Sequence, residues 1–230
     1  MIRVTENLRK IRDLLAKAAK EAGRPPESVK LLAAAKQQSP ETVLEAARAG
    51  LTDFGENFVQ EGVEKIESTR GSGLTWHFIG HLQSNKTRVV AEHFDWVHTI
   101  DRLKIAERLN AQRPHYAPEL NVCLQVNVDE EEAKSGARVS DVLELAGNVA
   151  TLPRLKLRGL MCIPAVRDSF DEQREPFRLL RELNEQLVAN GIDVDTLSMG
   201  MTADYRAAIF EGATMVRIGT ALFGERAKKK

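Results

Sequence analysis

A lysine that follows a short apolar run is the first residue in this sequence whose type and position suggest chemistry. Residues 31–35 have the length and composition of a buried strand, and Lys36 comes directly after them. Ser39 and Pro40 then have the residue types preferred at the start of a helix. An amine at the carboxyl end of a strand can attack a carbonyl group, although most lysines only solvate a surface.

Two loops late in the sequence have residues suited to binding a phosphate group. Residues 198–202 read Ser-Met-Gly-Met-Thr, and residues 217–221 read Arg-Ile-Gly-Thr-Ala. Glycine lets backbone N–H groups approach an anion closely, and Ser and Thr hydroxyls add further donors. Small residues also serve ordinary turns, so this pattern alone leaves both interpretations open.

A reactive lysine combined with a phosphate site narrows the candidate ligands to two kinds. Either a phosphorylated carbonyl substrate or pyridoxal 5′-phosphate (PLP) would use both features, with Lys36 forming a Schiff base. Arg217 discriminates between them, because an arginine is always protonated and only donates. Beside a pyridine nitrogen it would keep that nitrogen unprotonated and weaken the ring as an electron sink. A salt bridge at the rim of the fold is the alternative role for Arg217.

The elements that must position these residues recur along the whole chain. Apolar, strand-like runs alternate with helical patterns and lie at residues 31–35, 52–54, 76–79, 96–100, 122–128, 157–163, 196–199 and 214–218. Eight such units predict an α/β fold, a (β/α)₈ TIM barrel, whose chemistry lies where the strands end. An open doubly wound sheet is the alternative, but it normally uses fewer strands over this length. Apolar residues spaced three and four apart from Val4 to Ala18 predict an extra N-terminal helix.

Composition limits the domain count and the classes of partner. We interpret residues 1–230 as a single domain, with a leading helix within residues 1–23 and a basic tail at residues 226–230. The 33 Lys and Arg residues balance 33 Asp and Glu residues, so no basic stripe indicates nucleic acid or an anionic membrane. No apolar run approaches the roughly 18 residues that span a bilayer.

Cys123 and Cys162 lie in apolar strands and are predicted to be reduced and buried. The scattered histidines indicate no metal site.

Several blocks of the sequence resemble the pyridoxal phosphate homeostasis protein family. The longest block, residues 76–86, reads Trp-His-Phe-Ile-Gly-His-Leu-Gln-Ser-Asn-Lys. The supporting blocks lie at residues 54–57, 59–61, 158–161, 197–201 and 215–220. They follow one another in order over nearly the whole chain, from residue 31 to residue 224.

The resemblance implies a barrel like the amino-terminal domain of alanine racemase, and it implies a role for particular residues. Lys36 would hold PLP as a Schiff base, and Arg217 would face the pyridine nitrogen. The remaining implied cofactor-binding residues are Ser198, Gly219 and Thr220 at the phosphate, Asn57 near the ring, and Met161 and Met201 as pocket walls. Two blocks depart from the family pattern. Residues 34–37 read Ala-Ala-Lys-Gln instead of Val-Ser-Lys-Thr, and residues 202–204 read Thr-Ala-Asp instead of Ser-Asp-Asp.

Two classes of function remain. The resemblance favours an intracellular PLP carrier or regulator that also affects amino-acid balance and has no established turnover. The alternative is a PLP-dependent amino-acid racemase of low activity, and a Schiff-base aldolase is a third and more distant reading. Racemisation needs a second acid or base opposite the lysine, usually Tyr or Cys. The chain has only Tyr116 and Tyr205, with His77 and His81 as other candidate bases.

The expected partners are PLP and, as recipients, PLP-dependent apoenzymes. We expect the protein to be cytoplasmic. We also expect a monomer, because the second domain that makes the dimer contacts of alanine racemase is missing from this pattern. Lys134 follows an acidic run at residues 129–132 on the loop after the fifth strand. It is either a solvated loop lysine or a second, transient aldehyde site.

Overall fold

A computed structural model describes residues 4–131 and 135–224 of the chain. Lys134 and the basic tail lie outside the described residues. The strands are β1 (Lys30–Ala34), β2 (Asp53–Glu56), β3 (Thr75–Phe78), β4 (Trp96–Ile100), β5 (Leu120–Gln125), β6 (Leu155–Met161), β7 (Thr196–Ser198) and β8 (Met215–Ile218). The helices are α1 (Val4–Glu21), α2 (Pro40–Arg48), α3 (Val59–Ser68), α4 (Thr87–His93), α5 (Leu103–Gln112), α6 (Val142–Ala150), α7 (Phe170–Ala189), α8 (Tyr205–Phe210) and α9 (Thr220–Phe223).

The strands close into one barrel in sequence order, and every neighbouring pair is parallel. Closure joins β8 to β1, with Leu32 opposite Arg217 and Ala33 opposite Ile218. The predicted (β/α)₈ barrel is therefore confirmed. Because all strands run the same way, the loops after them meet at one face, which is where this fold places its chemistry.

The extra N-terminal helix is also confirmed. The buried residues of α1 include the predicted apolar stripe of Val4, Leu8, Ile11, Leu15 and Ala18. The Asn7 amide of α1 donates to the backbone oxygen of Leu222 (3.1 Å), and Arg24, three residues beyond the helix, donates to that of Ile209 (2.9 Å). The leading helix thus packs on the last two helices of the barrel.

Side-chain hydrogen bonds cap the starts of helices α2 and α7. The Ser39 hydroxyl accepts from the backbone N–H of Thr42 (3.3 Å), and Pro40 opens α2 as predicted. Ser169 and Glu172 form a capping box at the start of α7. Helix α6 is an element that the pattern of eight runs did not include, although its buried residues recur at helical spacing (Val142, Leu145, Ala146 and Val149).

Both cysteines have the burial that their apolar surroundings predicted. Cys123 and Cys162 are free and buried, and burial raises the pKa of both thiols to about 12. Neither thiol is therefore a ready nucleophile, since the thiolate is the reactive form. Within the described residues, no helix is both long and apolar enough to cross a membrane.

A close backbone approach holds Asn57 at the carboxyl face of the barrel. A Cβ added at Gly80 would lie 2.0 Å from the backbone oxygen of Asn57, so only glycine fits there. The carbonyl of Gly80 in turn accepts from the Thr99 hydroxyl (2.7 Å). The loops after β2 and β3 are thereby locked to β4.

Substitution of Gly80 tests this approach. Gly80→Ala is expected to lower the free energy of unfolding by at least about 2 kcal/mol, because the backbone of Asn57 must move away from the new methyl group. Gly147→Ala is the matched control. Nothing lies within 4 Å of its added Cβ, and alanine in helix α6 is expected to add about 0.5 to 1 kcal/mol. Urea unfolding measures both, and a Gly80→Ala protein as stable as the wild type would contradict the close approach.

Candidate functional site

A cavity of about 420 Å³ opens at the face where the strands end. Such a volume suits a small-molecule ligand. Its lining comes from the ends of β1, β2, β3, β6, β7 and β8 and from the loops after them. The lining residues are Ala34, Lys36, Gln38, Asn57, Ile79, Ile163, Met201, Thr202, Ala203, Arg217, Gly219, Thr220 and Gly224.

Six of the eight sequence-predicted residues lie together in this lining. They are Lys36, Asn57, Met201, Arg217, Gly219 and Thr220. Gly219 and Lys36 come close because β8 pairs with β1. A Cβ at Gly219 would lie 3.1 Å from the backbone oxygen of Ala34, so the last strand approaches the turn that carries Lys36.

The other two predicted residues, Met161 and Ser198, do not line this cavity, and their assignment to the cofactor stays a prediction. Both are fully buried and lie at paired positions of β6 and β7. Met161 clusters with Trp96 and Cys123 inside the barrel. The Ser198 hydroxyl is bonded to Arg217 and His98. The two side chains therefore fill the barrel behind the cavity wall instead of facing the ligand space.

Arg217 forms the inner wall of the cavity and is itself only 4% exposed. Its Nη1 donates to the backbone oxygen of Ser198 (2.6 Å) and to the Ser198 hydroxyl (3.0 Å), and its Nη2 donates to the backbone oxygen of Cys162 (2.8 Å). Burial lowers the pKa of Arg217, but a guanidinium remains charged in proteins. The cavity thus has a fixed positive charge in its wall.

A chain of hydrogen bonds continues from Arg217 through the barrel interior. The Ser198 hydroxyl lies 2.8 Å from Nδ1 of His98, whose Nε2 lies 2.9 Å from Nδ1 of His77. His77 Nε2 lies 3.1 Å from a carboxylate oxygen of Asp53, which also pairs with Lys30 (3.2 Å). The chain runs from the cavity to the opposite end of the barrel strands.

The acceptor end of this chain sets the direction of its hydrogen bonds. The Asp53 carboxylate only accepts, so His77 donates to it from Nε2. With both imidazoles neutral, as burial favours, His98 donates from Nε2 to Nδ1 of His77, and the Ser198 hydroxyl donates to Nδ1 of His98 while it accepts from Arg217. Both imidazoles are then protonated at Nε2.

The pKa shifts agree with this assignment. Burial lowers the pKa of His98 well below its usual value, and the positive charge of Arg217 acts in the same direction. Burial also lowers the pKa of His77, although its bond to Asp53 opposes this. For Asp53, burial acts to raise the pKa, but the bonds from His77 and Thr52 outweigh it and the pKa falls to about 2.

A tight turn presents Lys36 to the cavity. Strand β1 ends at Ala34, so Lys36 lies two residues beyond the strand. The backbone N–H of Gln38 donates to the oxygen of Ala35 (3.0 Å) and closes the turn, in which Gln37 has φ +62°. Lys65 lies behind this turn but does not line the cavity, because its ammonium group is bonded to Ala35 and Glu56.

The loop after β7 is held by a carboxylate. Asp204 accepts from the backbone N–H of Met201 (2.6 Å), and the backbone N–H of Tyr205 donates to the oxygen of Met201 (2.8 Å). Burial raises the pKa of Asp204. This turn sets Met201, Thr202 and Ala203 along the cavity.

Sequence reasoning missed part of the lining and the interior chain. Thr202 lies in the glycine-containing loop that was examined for hydroxyl donors, so a signal for it was present. Ile79 directly follows β3 and Ile163 lies two residues beyond β6, so position near a strand end was the available signal for both. The partnership of His77 with His98 had no such signal, because it depends on the register between β3 and β4. Among the described residues, no group of three or more His, Cys, Asp or Glu could hold a metal ion.

Comparison with known proteins identifies the family. The family model described as alanine racemase, N-terminal domain, matches residues 3–227. The pyridoxal phosphate homeostasis protein of Escherichia coli (strain K12) is 51% identical over 226 residues, covering 97% of each chain. That of Pseudomonas aeruginosa is 53% identical over 226 residues, covering 98% of this chain and 97% of the relative. The chain belongs to the pyridoxal phosphate homeostasis protein family.

Solved structures place this family member in a wider fold group. PipY of Synechococcus elongatus PCC7942, determined with PLP bound, is 36% identical and superposes with a TM-score of 0.84 over 96% of this chain and 100% of PipY. An alanine racemase of Clostridium difficile 630 is 15% identical, with a TM-score of 0.71 over 94% of this chain and 56% of the racemase. The second likeness concerns the barrel fold alone.

The neutral interior histidines predict how stability depends on pH. Below pH 6.5 the histidines of the unfolded chain bind protons, whereas burial keeps the pKa of His98 well below its usual value and lowers that of His77, so acid favours unfolding. His98 is expected to remove about 1 kcal/mol from the free energy of unfolding between pH 6.5 and 5.5, and His77 acts in the same direction. Urea unfolding across this range measures the loss.

Two variants separate the buried from the exposed histidines. His98→Gln is expected to show a smaller loss between pH 6.5 and 5.5, since one of the buried imidazoles is gone. His115 is exposed, and His115→Gln is expected to match the wild-type pH dependence. Equal pH dependence in all three proteins would show that His98 titrates normally and would contradict the assigned chain.

Proposed function

We propose that this chain binds PLP in the cavity through a Schiff base to Lys36, and that it serves intracellular PLP homeostasis as a carrier or regulator. The observation that supports this most strongly is the meeting of Lys36, Arg217 and the Gly219–Thr220 backbone around one cavity. A lysine amine, a donor for the ring nitrogen and an anion site suit the aldehyde, the pyridine and the phosphate of this cofactor. The names of the relatives and the PLP-bound state of PipY agree with it.

The residues of the cavity fit the chemistry of this cofactor. When bound, PLP supplies an aldehyde that condenses with an amine and a ring that can withdraw electrons. Lys36 provides the amine. Thr220 and the backbone N–H groups at Gly219 and Thr220 are donors for the phosphate, and Thr202 adds a hydroxyl in place of Ser198. Asn57 and Met201 complete the wall beside the ring.

Arg217 determines how strongly the cofactor could withdraw electrons. Its guanidinium remains protonated and donates, so a pyridine nitrogen facing it accepts a hydrogen bond and stays unprotonated. An unprotonated ring is the weaker electron sink. The chain through Ser198 and His98 holds the guanidinium in the wall, which favours storage of the cofactor over reaction on it.

The side chains of the cavity favour a carrier over a racemase. Racemisation requires an acid or base on the side opposite the lysine. Among the described residues that line the cavity, the only ionisable side chains are those of Lys36 and Arg217. His77 is buried in the barrel interior, and Tyr205 packs against the core at the start of α8. Neither is placed to take up a proton from a bound amino acid.

Delivery to PLP-dependent apoenzymes and an influence on amino-acid balance are part of the same proposal. A carrier must release its cofactor, and the cavity opens directly to the surface where Met201 is exposed. We also propose that the chain works as a cytoplasmic monomer, which gel filtration at micromolar concentration tests.

Chemical trapping tests the assignment of Lys36. Protein loaded with PLP is expected to be yellow, and borohydride reduction is expected to fix one cofactor to Lys36, as read by peptide mass spectrometry. Lys36→Ala is expected to lose both the colour and the fixed label. Lys156→Ala, at an exposed lysine of β6, is the matched control and should retain both. A yellow Lys36→Ala protein would contradict the assignment of the Schiff base to Lys36.

Isotope exchange separates the carrier from the racemase. PLP-loaded protein is incubated with single L-amino acids in deuterated water, and NMR follows the Cα proton. The carrier predicts exchange no faster than with free PLP, because the cavity offers no second base. Exchange at enzyme-like rates, at or above about 1 per second, would favour the racemase.

A further inference from the structure

The turn that carries Lys36 is held from behind by helix α3. Three side chains make the contacts, and we call them the α3 clamp: Glu56 at the end of β2, and Glu61 and Lys65 on α3. Lys65 is 4% exposed and Glu56 is fully buried, so this is an ion pair removed from water. Lysine is almost never buried without a partner, and removing one member of such a pair leaves an uncompensated buried charge.

Lys65 fixes the peptide group on one side of Lys36. Its Nζ donates to the backbone oxygen of Ala35 (2.8 Å), to Glu56, and lies 3.7 Å from Glu61. The oxygen of Ala35 also accepts the N–H of Gln38 that closes the turn. Two of the three ammonium hydrogens therefore have an acceptor, and Glu61 adds the opposite charge of a longer ion pair.

Glu61 fixes the peptide group on the other side. Its Oε2 accepts from the backbone N–H of Gln37 (3.1 Å). Gln37 has φ +62°, a conformation that non-glycine residues rarely adopt and that surrounding contacts must maintain. The two peptide groups flanking Lys36 are therefore both bonded to side chains of one helix.

We propose that Glu61 and Lys65 are positioning residues that hold the Lys36 turn ready to capture PLP. This inference rests on the proposed function of Lys36. Neither residue lines the cavity, so neither touches the ligand space, and their effect passes through the backbone of Ala35 and Gln37. A preorganised amine loses less conformational entropy when it binds, and tighter binding follows.

The fold also explains why Lys65 does not compete for the aldehyde. Its ammonium group is surrounded by a carboxylate and a backbone oxygen and is closed off from the cavity. An amine is a nucleophile only when it is unprotonated and accessible. The clamp thus distinguishes the two lysines, with one as support and the other as the reacting group.

Glu61→Ala tests the proposal and leaves the buried pair of Lys65 and Glu56 in place. The Glu61 side chain itself is 34% exposed. We expect a three- to tenfold weaker affinity for PLP, the range expected when one hydrogen bond is lost. We also expect faster hydrogen exchange of the Gln37 amide in the cofactor-free protein. Glu61→Gln retains an acceptor oxygen and is expected to restore both quantities toward the wild type.

Glu64→Ala is the matched control, since Glu64 is exposed on the same helix and carries the same charge. Weaker PLP binding and faster Gln37 exchange in Glu61→Ala, with neither change in Glu64→Ala, support the proposal. Faster exchange with unchanged affinity overturns it, because the contact then does not position Lys36 for binding. Unchanged exchange also overturns it, because the contact itself is then absent.

The design separates this proposal from the proposed function. If the wild-type protein does not bind PLP, or if borohydride labels another lysine, the proposed function fails and the affinity measurement loses its meaning. The exchange of the Gln37 amide is measured without cofactor and still reports on the clamp. If Lys36 is labelled and Glu61→Ala behaves like Glu64→Ala, only the clamp is overturned.

Discussion

The buried charge of Arg217 is the constraint on which the inside of this barrel depends. A guanidinium removed from water is costly unless its hydrogens find acceptors. Here it donates to backbone oxygens of Cys162 and Ser198 and to the Ser198 hydroxyl. The hydroxyl in turn bonds to His98, and the hydrogen bonds continue through His77 to the ionised Asp53 carboxylate. Since Asp53 only accepts and the imidazoles are neutral, every donor in the chain points towards Asp53. It cannot carry a proton to Arg217, so it acts as fixed support.

Much of this architecture could be predicted from the sequence because it follows from local periodicity. Each strand is an apolar run bounded by turn residues, and parallel strands bring their carboxyl ends to one face. That rule alone brings Lys36, Arg217 and Thr220 together, although they are far apart in the chain. The chemistry of those residue types then restricts the ligand. Residue type and strand position together carried this part of the prediction.

The features that the sequence does not reveal depend on something else, which is the direction of each side chain. Successive residues of a strand point to opposite sides, and β7 has only three residues, too few to reveal which side Ser198 faces. The fully buried β6 terminus hid the direction of Met161 in the same way. The bond between His77 and His98 depends on strand register, and the clamp of Lys65 on Ala35 depends on the rotation of α3 over β2. None of these side-chain directions and contacts produces a periodic pattern in the sequence.

The closure of β8 on β1 has a consequence for the order in which the protein matures. Lys36 and Asn57 are synthesised well before Arg217, Gly219 and Thr220, which lie about 160 residues further along the chain. A nascent chain therefore carries the lysine long before it carries β8, and pairing between such distant segments is intrinsically slow. Under the proposed function, an aldehyde that reacted with the lysine before β8 docked would be held by that bond alone. Secure retention of the ligand would then report that the barrel has closed.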